Sequence, residues 1–148
     1  MIPADAYKSI LEYSVISAVD AIIVEHGKVL LAKRTQKPCK GQWWIPGGRQ
    51  FKGEMPEDAV KRKVKEEIGL DVKVEKLVGV YDVMFDETEQ DVKTGVHYVA
   101  RVYVVSSINK GQEIELDTTQ KEYKWISSID DSLHDYVKTA LKDSRVFR

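Results

Sequence analysis

A proline and a glycine bracket one stretch of this chain so closely that its conformation is nearly dictated. Pro56 suits the first turn of a helix, where its missing N–H costs nothing and its fixed φ is already helical, and Gly69 suits the left-handed residue that ends one. Between them Glu57 and Asp58 complement the positive end of the helix dipole, while Val60, Val64 and Ile68 recur at helical spacing. The pattern predicts a helix over Pro56 to Ile68. At about 100° per residue, Lys63, Glu66 and Glu67 share an arc of about 100° beside the apolar stripe. Crowded carboxylates repel one another unless a cation or solvent disperses their charge. Oxygen ligands of this kind suit Mg²⁺, which keeps several waters and accepts substrate phosphate oxygens. Taken alone, the same face also reads as a solvated surface with ion pairs such as Arg62 to Glu66.

The flanking sequence places this helix in an α/β context. Asp5 to Tyr13, with Ala6, Ile10 and Tyr13 at helical spacing, predicts a short amphipathic helix capped by Asp5 and packed as a lid or edge. Val15 to Val24 and Val29 to Ala32 are β-branched runs separated by Glu25-His26-Gly27-Lys28, a hairpin pattern. Lys37 to Gly41 breaks regular structure, Trp43-Trp44-Ile45 is a brief apolar strand, and Pro46-Gly47-Gly48 predicts a sharp turn. Val72 to Asp82 and Val96 to Val105 read as strands around the polar segment Asp86 to Asp91. Lys121 to Ile126 predicts a last strand, and Ile129, Leu133, Val137 and Leu141 predict a closing helix.

Composition narrows the function. A chain of 148 residues, at about 100–200 residues per domain, predicts one domain over 1–148. With 43% apolar and 32% charged residues it can build a core. Lys plus Arg total 23 against 24 Asp plus Glu, so a net charge of −1 gives no field to gather polymeric nucleic acid. A few local arginines suffice for a small phosphorylated ligand. The single cysteine, Cys39, fits a reducing, cytoplasmic setting, and no run of apolar residues approaches the roughly 20 needed to span a membrane.

Gly48, five residues, Glu54, seven residues, Arg62, then Val64, Glu66-Glu67, Gly69 and Leu70 resemble the Nudix box, G-x5-E-x7-R-E-U-x-E-E-x-G-U with U aliphatic. Six fixed letters stand at the required spacing; at roughly 1 in 15 each, chance supplies about 10⁻⁷ per register. The resemblance implies an α/β/α sandwich around a mixed β-sheet and hydrolysis of a nucleoside diphosphate linked to another group. It also implies Mg²⁺, with Mn²⁺ as the alternative ion, at a metal site built from Gly48, Glu54, Glu66 and Glu67. Adjacent negative charges on a diphosphate must be neutralised by metal and guanidinium before water can attack. Glu54 has a second reading, as a support for the loop.

A wider set of residues looks like the GDP-mannose mannosyl hydrolase branch of that family: Leu30 to Thr35, Gly41 to Arg49, Lys52-Gly53-Glu54, His97-Tyr98-Val99 and Tyr123-Lys124-Trp125. That branch uses one metal and displaces the nucleoside diphosphate at the sugar carbon. Carried across, Arg49, Arg62, Glu66 and Glu67 are the catalytic set, with the arginines neutralising the diphosphate and Glu67 binding metal. Asp20, Arg34, Arg49 and Tyr98 are the substrate-binding set. A homodimer is compatible with the resemblance.

The chain departs from both patterns. Lys63 stands where the box has glutamate, a change of two charge units that implies fewer bound metals, and the branch lacks that glutamate as well. Thr119 stands at the place of a metal-contacting glutamine and Gln120 at the place of a histidine base; glutamine cannot accept a proton near neutral pH. Glu87, Glu89 and Glu122 are then candidate bases for carbon attack, unless the reaction is attack at phosphorus on nucleoside triphosphates or ADP-ribose-like compounds. The rival from another class is a nucleotide-binding regulatory module without turnover. His26, His97 and His134 lack metal-ligand spacing and read as structural. One of Trp43 and Trp44 belongs in the core, and the other is free to stack on a base or sugar.

Overall fold

The computed structural model describes residues 2–90, 92–109, 111–117 and 120–147, with the side chains of Gln120 and Lys121 left aside. In order the elements are α1 (Ala4–Tyr13), β1 (Ile16–Glu25), β2 (Lys28–Arg34), β3 (Trp43–Trp44), β4 (Gly47–Arg49), α2 (Pro56–Ile68), β5 (Val72–Phe85), β6 (Val96–Ser107), β7 (Gln120–Ile126) and α3 (Asp135–Ser144). His26 and Gly27, at φ 51° and 75°, form the tight turn that pairs Val24 with Val29 across the β1–β2 hairpin.

β1 is the axis of the fold. It runs parallel to β6, from Ile16 opposite Tyr98 to Ile23 opposite Val105, and antiparallel to β4 on its other side. β5 closes the β6 edge antiparallel, and β2 carries β3 and β7. Successive side chains on a strand face opposite ways, and the core divides accordingly. Ala18, Ile22, Leu31, Val102 and Val104 pack with Val137, Ala140 and Leu141 of α3. Val19, Ala21, Ile23, Leu30 and Val105 pack with Ala59, Val60, Val64 and Ile68 of α2. The result is the α/β sandwich around a mixed sheet expected from the sequence, with a helix on each face. No helix among the described residues is long and apolar enough to cross a membrane.

α2 has the bounds its punctuation predicts, with Pro56 in its first turn and Gly69 at φ 80°, whose N–H closes on the Val64 and Lys65 carbonyls. Val60, Val64 and Ile68 are fully buried, each contributing roughly 2 kcal/mol by area removed from water. Three expectations fail. Gly47-Gly48-Arg49 is a strand on β1, because its backbone pairs with Ala18 to Asp20. The closing helix starts at Asp135, after Ile129 and Leu133. Asp130 draws the preceding chain into a turn by accepting from the Ser132 N–H at 2.8 Å, and His134 Nδ1 then caps the helix by accepting from Tyr136 N–H. Leu133 is nonetheless buried, so its apolar spacing reported burial and not helix. α1 begins at Ala4 with Pro3 before it and no side-chain cap, so Asp5 lies in its first turn and not at the cap.

Candidate active site

Beside the β1–β4 pairing a cavity of about 290 Å³ opens, lined among others by the buried Ala18, Trp44 and Ala100 and by Tyr7 of α1. Asp20, Arg34, Gly48, Arg49, Glu67 and Tyr98 all line it, so most of the residues singled out in the sequence come together there. Gly47 permits the approach: a Cβ at this position would lie 1.8 Å from Asp20 Oδ1 and 2.3 Å from the Val19 carbonyl oxygen.

Asp20 sits on the α3 face of β1, 9% exposed. Tyr136 O–H donates to its Oδ2. Burial pushes the Asp20 carboxyl up to about 7, reinforced by nearby Glu67 and opposed by the Tyr136 hydrogen bond and Arg34. Tyr98 is pushed up to about 12, mainly by burial, and remains a neutral phenol at physiological pH. Arg34 donates from Nε to the Pro38 carbonyl at 2.7 Å, which fixes the direction of its guanidinium.

Glu67 is 4% exposed at the last turn of α2 and accepts from Gly47 N–H at 3.1 Å. Arg49 lies against the Tyr7 ring at 4.5 Å and the Phe51 ring at 5.5 Å. Its buried Nη1 has no hydrogen-bond partner among the described residues. A buried guanidinium donor left unpaired costs free energy that an incoming anion would recover.

Arg62 faces another way. It donates to Glu54 from Nε at 3.0 Å and Nη2 at 2.7 Å, to Glu66 from Nη1 at 3.1 Å and to the Arg49 carbonyl from Nη2 at 3.0 Å. Its guanidinium also stacks on Phe51 at 3.7 Å. Glu54 in turn accepts from Phe51 N–H, and Arg62 holds its carboxyl below the usual range. The pair clamps loop and helix together, with both Glu54 oxygens engaged. Glu66 is half exposed and takes Arg62 on one side and Lys63 on the other.

Among the described residues no group of three or more His, Cys, Asp or Glu is arranged to hold a metal ion. The donors present are hard oxygens: the Glu66 and Glu67 carboxylates and the Gly48 backbone. Oxygen donors of this kind are the chemistry that a Mg²⁺-like ion takes, with water and substrate phosphate in its remaining positions.

The other candidates lie elsewhere. Glu89 accepts from Lys37 N–H at 2.8 Å, Glu87 lies 4.0 Å from Lys37 Nζ, and Glu122 lies 3.8 Å from Lys33 Nζ; none lines the cavity. Thr119 and the Gln120 side chain lie outside the described residues. His97 pairs with Asp82 at 2.8 Å, and His134 stacks on Trp44 at 5.0 Å. Trp44 is the core tryptophan and also reaches the cavity, whereas Trp43 stacks with Lys124 at 4.4 Å and Lys33 at 5.9 Å. Tyr7 and Tyr136 were not singled out in the sequence, since neither falls in a motif and only tertiary contacts bring them to the cavity.

The description NUDIX domain matches residues 15–139. The chain is 32% identical over 140 residues to the low-salt glycan biosynthesis protein Agl8 of Haloferax volcanii, covering 95% of this chain and 88% of that protein. It is 39% identical over 105 residues to an ADP-ribose pyrophosphatase of Methanocaldococcus jannaschii, covering 71% of this chain and 57% of that one. Among solved structures, a MutT NUDIX hydrolase from Burkholderia pseudomallei superposes with a TM-score of 0.70 at 26% identity, over 88% of this chain and 98% of its own.

Proposed function

This chain belongs to the NUDIX domain family and is a hydrolase of nucleoside diphosphate derivatives, and from that premise we propose that its substrate is a nucleotide sugar, with GDP-mannose the first to test and Mg²⁺ the working ion. One observation carries the reading. Asp20, Arg34, Arg49, Glu67 and Tyr98 line a single cavity, and the Arg49 guanidinium in it has a buried, unpartnered nitrogen. The sugar component draws support from the relative named for glycan biosynthesis, which aligns over nearly the whole chain.

In this reading Arg34 and Arg49 hold the diphosphate, their planar forks matching its oxygens. Glu67, with Glu66 and the Gly48 backbone, would hold the ion, which would supply Lewis-acid neutralisation of the diphosphate. Arg62 and Glu54 act by positioning, fixing the Arg49 carbonyl and the loop that precedes α2. Tyr98, kept neutral, donates to the substrate. Asp20 is a cavity carboxyl that burial drives up to about 7, the range a general base needs. It accepts a proton from the attacking water as the bond between the sugar carbon and the leaving diphosphate breaks, which fills the role that Gln120 cannot.

A second reading, cleavage at phosphorus, is favoured by the ADP-ribose pyrophosphatase relative. Phosphorus-31 NMR with Mg²⁺ and GDP-mannose distinguishes the two. GDP as product supports carbon attack; GMP with mannose 1-phosphate places the reaction at phosphorus. No turnover of GDP-mannose, ADP-ribose or nucleoside triphosphates would refute the substrate class. Glu67→Gln is expected to fold normally and to lose at least about a hundredfold in kcat, and full activity in this variant would remove Glu67 from the site.

A further inference from the structure

Lys63, the residue at which the chain leaves the motif, is not placed like a surface lysine. Its side chain is 20% exposed, against 56% for Lys65 in the ordinary surface pair with Asp71 on the same helix. The arm lies so close over Gly48 that a Cβ there would come within 2.5 Å of Lys63 Cε and 3.1 Å of Nζ. The ammonium ends 3.4 Å from Glu66 Oε2 and 3.9 Å from Glu67 Oε1, and Lys63 lines the same cavity as Arg34 and Arg49. Its position is therefore between the Glu66 and Glu67 carboxylates, on the side of Glu66 away from Arg62. Glu54, Arg62, Lys63, Glu66 and Glu67 together carry −1; glutamate at 63 would make the same five positions −3. Cation affinity of a carboxylate site follows its charge count.

We propose that the Lys63 ammonium is a built-in cation standing where a further divalent ion would otherwise sit, limiting the site to one metal ion per chain and itself contacting the substrate diphosphate. The inference rests on the metal-dependent reading above and adds to it the residue that sets the metal count. Three donors on a flexible four-carbon arm let Nζ exchange a carboxylate oxygen for a phosphate oxygen while α2 stays in place. Substrate affinity and metal stoichiometry are then coupled through one side chain.

The test is Mn²⁺ binding followed by electron paramagnetic resonance on the full chain, with and without inorganic pyrophosphate, for the wild type, Lys63→Gln and Lys63→Glu. Circular dichroism checks folding, and Lys63→Gln carries the test where Lys63→Glu does not fold. The wild type is expected to bind one Mn²⁺. Lys63→Glu is expected to bind a second, or to bind the first at least tenfold more tightly, with Lys63→Gln intermediate. In EDTA, Lys63→Gln is expected to bind pyrophosphate at least fivefold more weakly than the wild type. Equal Mn²⁺ binding in all three proteins, or two Mn²⁺ in the wild type, overturns the counter-ion role and leaves the metal-dependent reading standing. Unchanged pyrophosphate affinity overturns the phosphate contact. No Mn²⁺ binding by any of the three, even with pyrophosphate, overturns this inference and the metal-dependent reading together.

Discussion

Replacing Asp20 by asparagine should stabilise this protein at neutral and alkaline pH while removing its activity. The native carboxyl is held at about 7 against an ordinary value of 3.8, chiefly by burial. Between those two values the folded chain holds a proton that the unfolded chain releases, so stability is complete below the lower value and is lost as pH rises through the upper one. The full displacement corresponds to about 4 kcal/mol, of which roughly 2 kcal/mol disappears between pH 5 and pH 7.5. Asparagine cannot ionise and is spared this loss. The assay is urea unfolding of the wild type and Asp20→Asn in EDTA, followed by tryptophan fluorescence across that pH range. The other carboxylates are common to both proteins, so the difference between them isolates Asp20. The advantage of the variant should grow by about 2 kcal/mol from pH 5 to pH 7.5. A difference that stays constant with pH would refute the claim that this carboxyl is driven toward its neutral form.

Tyr136→Phe deletes the hydrogen bond that holds the Asp20 value down, so the midpoint of the pH–rate profile should move upward from near 7; an unmoved midpoint would dissociate Tyr136 from the proton chemistry. Gly47→Ala drives a Cβ into Asp20 Oδ1 and the Val19 carbonyl, and should cost about 3 kcal/mol in chemical denaturation together with most activity. Arg62→Ala should cost about 2 kcal/mol, and a double-mutant cycle with Glu54→Gln should show strong coupling; additive effects would mean that the clamp is not cooperative.

Much of this was legible in the sequence because it rests on local rules. α2 could be bounded to the residue, since a proline and a left-handed glycine act on their own neighbours. β1 and β2 followed from β-branched runs around a two-residue turn. What escaped was non-local. Gly47 to Arg49 carries turn-forming residues, and only the pairing of their backbone with β1 makes them a strand. Leu133 is the exception: it has the spacing of a helical residue, yet it is buried from a turn held locally, by Asp130 accepting from the Ser132 N–H. The site divides in the same way. Glu54, Arg62, Glu66 and Glu67 are in one contiguous motif, whereas the partners of Asp20 and Arg49 come from Tyr136, 116 positions away, and from Tyr7 in a different helix. No spacing rule links such pairs, because the sheet brings them together only after it has formed.

The alternation of β1 gives the cavity two separate owners. Asp20 and Tyr136 belong to the layer packed on α3, while Glu67 and Lys63 are carried by α2 from the opposite layer, and the halves meet at the short edge formed by β4. Each layer can be repacked through its own helix, but the Glu67 charge raises the Asp20 carboxyl across the seam, so a shift beneath α2 is felt by the proton-carrying group as well. In a chain built this way, a change of ion and a change of proton chemistry are felt together, through the seam that Gly47 forms between the two carboxylates.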